Sequence, residues 1–142
     1  MKRFAKFICF ALILAMLLTT PVYAASVQNS RSSAFFTMSS VYLSLVSGNT
    51  FKVCFSVTAT DIMDELGASV IIVQRYDADT DSWISVRSFY PSTYRQLIDY
   101  NQGTHAASVT YTGASGFEYR AYVELYAKNS SGVGYMPEYA YF

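Results

Sequence analysis

From Ser39 to Tyr141 apolar and polar side chains alternate with a period of two, and the 3.6-residue period of an amphipathic helix is almost absent. The cleanest stretch is about 50–59, where Phe51, Val53, Phe55, Val57 and Ala59 alternate with Lys52, Cys54, Ser56 and Thr58. One face is set for burial and the other for water. A strand at about 39–46 precedes it, with Val41, Leu43 and Leu45 on one side and Tyr42 and Ser44 on the other, and Ser47-Gly48-Asn49 turns between the two. A strand at about 68–76 carries Val70-Ile71-Ile72-Val73, apolar on both faces as a central strand would be. Before it, Asp61 to Gly67 breaks the alternation and predicts one helical turn, capped by Asp61 and ended by Gly67 in the left-handed region.

The polar run Tyr76 to Ser82 is a turn into a strand at about 83–90, which opens at Trp83 and carries Ile84 and Val86. Pro91 to Gly103 is irregular, with Tyr94, Leu97, Ile98 and Tyr100 folding back as a short edge strand or a helical turn. A strand at about 105–112 follows, then the loop Gly113 to Gly116. In the long strand at about 117–128, Phe117, Tyr119, Ala121, Val123, Leu125 and Ala127 share a face, opposite Glu118, Arg120, Tyr122, Glu124, Tyr126 and Lys128. Asn129 to Gly132 turns the chain into a last strand near 133–141, where Pro137 marks an edge. About seven short strands with turn signals between them predict an all-β domain at 39–142, an antiparallel two-sheet sandwich of the immunoglobulin-like kind, behind a disordered leader at 25–38.

Residues 1–24 follow another rule. Lys2, Arg3 and Lys6 precede the uncharged apolar run Phe7 to Leu18, and Val22-Tyr23-Ala24 places small residues where a signal peptidase reads. The pattern predicts a signal-peptide helix cleaved after Ala24, and hence a secreted, extracellular protein; an uncleaved anchor is the alternative. Removing the leader takes three of ten basic residues and none of the ten acidic ones, for a mature charge of about −3. The remaining basic residues are scattered, so no cationic stripe is available for nucleic acid. No later apolar run approaches the roughly 20 residues a bilayer span requires. Cys9 leaves with the leader, and Cys54 alone remains. An internal disulfide is ruled out, whereas a disulfide-linked dimer through Cys54 is open to an exported chain. The chain stops at Tyr141-Phe142 with no sorting motif, which predicts release rather than attachment to a wall.

Candidate chemistry is sparse. His105 is the sole histidine, and a Cys54–His105 pair is conceivable if their strands are neighbours. Asp77, Asp79 and Asp81 have the alternating acids of a calcium loop, but Ser82 stands at the sixth position where glycine belongs, and Ser88 at the twelfth where glutamate belongs. A solvated hairpin turn accounts for them more simply. Asp61, Asp64 and Glu65 read as caps and surface charge. No cofactor, metal or catalytic set is predicted, and the expectation is a protein that is not an enzyme.

The segment Gly116 to Gly132 resembles the sixth strand and following turn of fibronectin type III and related immunoglobulin-like modules, with Val123, Leu125, Ala127, Asn129 and Gly132 at matching offsets. The family's tyrosine position falls at Ala121, two residues after Tyr119. Residues 40–135 as a whole resemble small secreted proteins of Gram-positive bacteria, clostridia and relatives, to which no activity is assigned. The matching pieces are Asp64-Glu-Leu-Gly-Ala68, Val73-Gln-Arg-Tyr76 leading to Trp83-Ile-Ser-Val86, and Tyr119-Arg120. The resemblance implies fold and compartment.

The strongest signal outside the core is aromatic. Of thirteen tyrosines twelve follow Ala24, and parity puts Tyr122, Tyr126 and Tyr42 on exposed faces. Tyrosine is rigid and amphipathic and serves protein interfaces and sugar stacking alike, although it also pairs across strands with no function attached. Two expectations follow. The first is a secreted module that binds a protein or cell-surface component through Tyr122, Tyr126, Tyr42 and Trp83. The second is a small carbohydrate-binding module that stacks sugars on the same tyrosines and on Trp83, the only tryptophan.

Overall fold

The structure is a computed structural model and describes residues 34–142. The expected signal peptide and most of the expected leader therefore lie outside the described residues. Six strands appear in chain order: β1 (Phe36–Ser47), β2 (Thr50–Asp77), β3 (Ser82–Phe89), β4 (Ile98–Thr112), β5 (Tyr119–Asn129) and β6 (Gly132–Tyr141). A single 3-10 turn, Arg95–Leu97, precedes β4. β1 starts at Phe36, inside the stretch read as leader, because Phe36 is a core residue.

All six strands belong to one curled antiparallel sheet, in place of the expected seven strands in two separate sheets. The difference lies in β2, which is 28 residues long and merges two of the expected strands. Its first third pairs with β1 on one side (Val53 with Leu43) and β4 on the other (Val53 with Val109). Glu65 to Gly67 pair with both β4 and β5. Ile71 to Arg75 pair with both β5 and β3. Register shifts between Thr58 and Met63 and between Ala68 and Val70 mark where β2 changes neighbours; such irregularities bend a strand and re-aim its side chains. The result is two wings, β1–β2–β4 and β3–β2–β5–β6, that share one strand.

The predicted helical turn at Asp61 to Gly67 is absent for the same reason. A lone turn would have had only its cap for support. As strand, the segment buries Met63 and Leu66 completely and bonds to a neighbour on each side. The Asp61 carboxylate accepts the adjacent Ile62 N–H at 2.7 Å and caps nothing. β4 begins at Ile98, seven residues before the expected position, because the 3-10 turn drops Leu97 into the core and delivers the chain alongside Gly67.

The core lies between the wings. Phe51, Val53, Phe55 and Val57 of β2 and Tyr119, Ala121, Val123, Leu125 and Ala127 of β5 are buried as parity predicts. Phe117 departs from the pattern: it precedes β5 and is exposed. No charged residue is buried among the described residues, and the core is held mainly by apolar contact. On one side the wings are tied by Ser39 of β1, whose hydroxyl donates to the Glu138 carboxylate of β6.

Two close approaches fix the curl. A Cβ at Gly67, whose φ is +155°, would stand 1.9 Å from the Leu97 carbonyl oxygen. A Cβ at Gly113 would meet the Tyr119 ring at 2.6 Å, and that ring's hydroxyl accepts the Ala114 N–H at 2.8 Å, pinning the β4–β5 loop. Gly67→Ala is expected to destabilise by about 3 kcal/mol or more, since a backbone carbonyl cannot step aside cheaply. Tyr119→Phe, which keeps the ring and removes the hydroxyl's bonds to Ala114, is expected to cost about 1 kcal/mol. Urea unfolding of both variants beside the parent checks the order and the gap.

Candidate functional site

The hairpin of β5 and β6 builds an aromatic face on the outside of the second wing. Asn129 pairs with Gly132 across the turn, and the Asn129 side chain accepts the Ser131 N–H at 2.8 Å, which sets the register. From that register Tyr126 lies opposite Tyr135, Tyr122 opposite Tyr139, and Arg120 opposite Tyr141. Alternation then puts all of these on one face. The Tyr122 and Tyr139 rings stand 5.2 Å apart at 61°, and those of Tyr126 and Tyr135 5.4 Å apart at 54°. Edge-on pairs of this kind contribute about 0.5–1.5 kcal/mol each beyond area burial.

At one end of this ladder the Arg120 guanidinium lies 4.5 Å from the Trp83 ring centroid, 4.9 Å from that of Tyr139 and 6.0 Å from that of Tyr141. Its Nε donates to the Gln74 side-chain oxygen at 2.7 Å. Trp83 reaches the cluster because β3 and β5 flank β2: Trp83 pairs with Tyr76, and Gln74 with Arg120. Tyr76 and Tyr141 pack against the indole at 5.4 and 6.0 Å. At the other end the Glu65 carboxylate accepts from Tyr126 at 3.1 Å and from Lys128 at 2.8 Å. Between them Glu124 accepts from Ser69 and, at 3.2 Å, from the Tyr122 hydroxyl.

Three of the four residues expected to bind, Tyr122, Tyr126 and Trp83, therefore share one face. They are half-buried rather than exposed, because cross-strand rings and carboxylates cover them. The open rings are Tyr135, Tyr139 and Tyr141, between 44% and 63% exposed. Tyr42 does not join them. It is exposed on β1 opposite Cys54, on the outer side of the first wing, among serines and threonines. Tyr135 and Tyr139 belong to the sequence's aromatic signal near the end of the chain, but the sequence reading assigns them no face and gives Arg120 no site role. Counting outward from the Asn129–Gly132 turn would have paired both tyrosines with the predicted ones.

Other candidates fall apart in space. Cys54 points outward, whereas His105, paired with the inward Val57, packs its ring 5.6 Å from buried Phe55. The two are on opposite faces of the sheet, so the conceivable Cys–His pair does not form. The His105 ring instead holds the Gln96 carbonyl at 2.8 Å, with the Asp99 carboxylate 3.7 Å away. Asp77 accepts the Asp79 N–H at 3.1 Å, and Asp81 accepts the Tyr76 hydroxyl, so two of the three candidate calcium ligands organise their own turn. Among the described residues no three His, Cys, Asp or Glu side chains converge as a metal site.

Burial, and then the neighbouring carboxylates, push the Tyr122 and Tyr126 hydroxyls above the ordinary value of 10.0. The hydrogen bond from Lys128 holds Glu65 below the ordinary carboxylate value, against the opposing effect of burial. An acid whose folded value is raised contributes stability below its unfolded value and loses it as pH climbs through the folded one. Unfolding midpoints are accordingly expected to fall above about pH 10, and less steeply in Tyr122→Phe/Tyr126→Phe. For Glu65 the sign reverses: its contribution is present above about pH 4.3 and fades as pH falls below that, and Glu65→Gln removes this part of the acid slope. Denaturant unfolding at stepped pH, with tyrosinate absorbance on the alkaline side, reads both.

No family model matches the chain, and no curated protein matches it. Among solved structures it is similar to a candidate late embryogenesis abundant (LEA) protein at 13% identity and a TM-score of 0.45, covering 74% of this chain and 69% of that one. It is also similar to Spo0M, a sporulation control protein from Bacillus subtilis, at 12% identity and a TM-score of 0.38, covering 72% of this chain and 48% of that one. At this distance neither likeness bears on activity.

Proposed function

We propose that this chain is a secreted, non-enzymatic module that binds a protein or cell-surface component through the β5–β6 aromatic face. The observation that carries the reading is composition in place: Tyr135, Tyr139 and Tyr141 stand open on a rigid sheet, backed by Tyr122, Tyr126, Trp83 and Arg120. Tyr, Trp and Arg are the residues that dominate protein interfaces, and here they lose little freedom on binding because cross-strand pairs already hold them. The leader at 1–24 supports export. The curled sheet is read as a variant of the immunoglobulin-like, fibronectin type III-like sandwich in which one strand runs through both layers. The Tyr119 hydroxyl bond back to Ala114 is of the kind tyrosine corners make in that class, although Tyr119 stands two residues before the position that class uses.

The carbohydrate reading ranks second on geometry. A sugar platform needs an open, flat ring. The Trp83 ring is half-buried with the Arg120 guanidinium against it, and the ring pairs on the hairpin are tilted by 54° and 61° rather than coplanar.

The test uses the exposed rings, whose loss leaves the core intact. Tyr139→Ala and Tyr135→Ala should each weaken a protein partner identified by pull-down from the source organism's cell surface by about tenfold or more. Both variants should stay folded, each losing about 0.5–1.5 kcal/mol with its ring pair. Specific glycan-array hits that vanish in the same variants would favour the sugar reading instead.

A further inference from the structure

We propose that Arg120 is the anchor of a carboxylate site, and that the polypeptide seated on the tyrosine face places one acidic side chain on it. This rests on the reading that the face binds protein and names the chemistry of the partner.

Arg120 is fixed but unpaired. Three rings crowd the guanidinium, and Gln74 holds its Nε. Among the described residues Lys128 pairs with Glu65 and His105 lies 3.7 Å from the Asp99 carboxylate, and neither contact includes Arg120. Its terminal nitrogens find no acceptor among the described residues, although a guanidinium offers five donors in a planar fork. Ring contacts engage the flat face of that fork and leave its edge free. The edge is what a carboxylate takes, with two parallel N–H···O bonds. A carboxylate therefore adds to the aromatic contacts without displacing them.

Other charged side chains of the face have partners of their own, Glu118 apart. Lys128 neutralises Glu65, and Glu124 takes hydroxyl bonds from Ser69 and Tyr122. Arg120 stands beside the exposed rings of Tyr139 and Tyr141 without an ion-pair partner, while the carboxylates of Asp77, Asp81 and Glu118, gathered around Tyr76 at the same end of the ladder, do not reach its fork. Those rings lower the local dielectric, which strengthens an ion pair formed there. The same fork could accept a free anion, so the source must be separated by experiment.

Trp83 is the only tryptophan, and its indole lies against the guanidinium, so its emission reports on the site. The full chain is titrated with a glutamate-rich peptide free of tyrosine and tryptophan, with the same peptide carrying glutamine throughout, and with inorganic phosphate; calorimetry gives a second readout. Saturable binding of the acidic peptide is expected, with no response to the glutamine form. Arg120→Gln should weaken it about tenfold or more, and Arg120→Lys by less, since lysine keeps the charge without the fork. Equal binding of the two peptides, unchanged binding in Arg120→Gln, a phosphate response as strong as the peptide's, or no binding up to about 10 mM would each overturn the proposal. Tyr135→Ala, distant from Arg120 along the ladder, separates the two readings. Loss there alone overturns the carboxylate site and leaves the aromatic face standing; loss in Arg120→Gln alone keeps the site and overturns the wider face.

Discussion

Every strand of this sheet pairs with β2 or lies one strand away from it. β2 exchanges backbone hydrogen bonds with β1, β3, β4 and β5, and only β6 lacks a direct bond to it. A backbone amide buried without a partner would cost more than a made bond returns. The chain therefore has to supply a neighbour on each side of β2 as it bends, and the two register shifts let it hand over from β1 and β4 to β5 and β3. Gly67 sits at the handover, where the Leu97 carbonyl leaves no room for a Cβ. Curl, core and wings all follow from that bend.

The aromatic face depends on the same strand. Gln74, on β2, holds Arg120 on β5; Tyr76, also on β2, supports Trp83 from β3; Ser69 and Glu65 organise the carboxylates beside Tyr122 and Tyr126. The inward half of β5 is apolar while its outward half alternates tyrosine with charged side chains, so a single eleven-residue strand closes the core and lays out a surface. At the middle of that surface Glu124 lies opposite Pro137 and is held by Ser69 and Tyr122. What a partner meets is pre-arranged by ring against ring, and the freedom lost on contact is small.

Much of this is legible in the sequence, because period-two alternation is a local property. The strands at 50–59, 82–89, 119–129 and 132–141 are visible from Phe51 to Ala59, from Trp83 to Val86, from Tyr119 to Ala127 and from the turn at Asn129 to Gly132. Asp61 to Gly67 misleads because its local cues are those of a cap and a stop, whereas the deciding partners are Ile98 to Gln102 and Tyr126 to Lys128, far along the chain. Parity assigns Tyr122, Tyr126 and Tyr42 to outward faces but is silent about which wing each belongs to. It is equally silent about Trp83 reaching Arg120, which requires the order β3–β2–β5 and cannot be seen in any window of neighbouring residues.

The way β2 recruits partners also has a kinetic side. β5 and β6 are joined by a two-residue turn and carry two facing ring pairs, so this hairpin has local contacts to gain as soon as it is synthesised. Pairing Gly67 with Tyr126, by contrast, closes a loop of about sixty residues before any core is rewarded. The polypeptide thus holds its most aromatic element ready while its central element waits for distant neighbours. An exposed, tyrosine-laden ribbon in that interval is a natural substrate for chaperones, and for like chains when concentration is high.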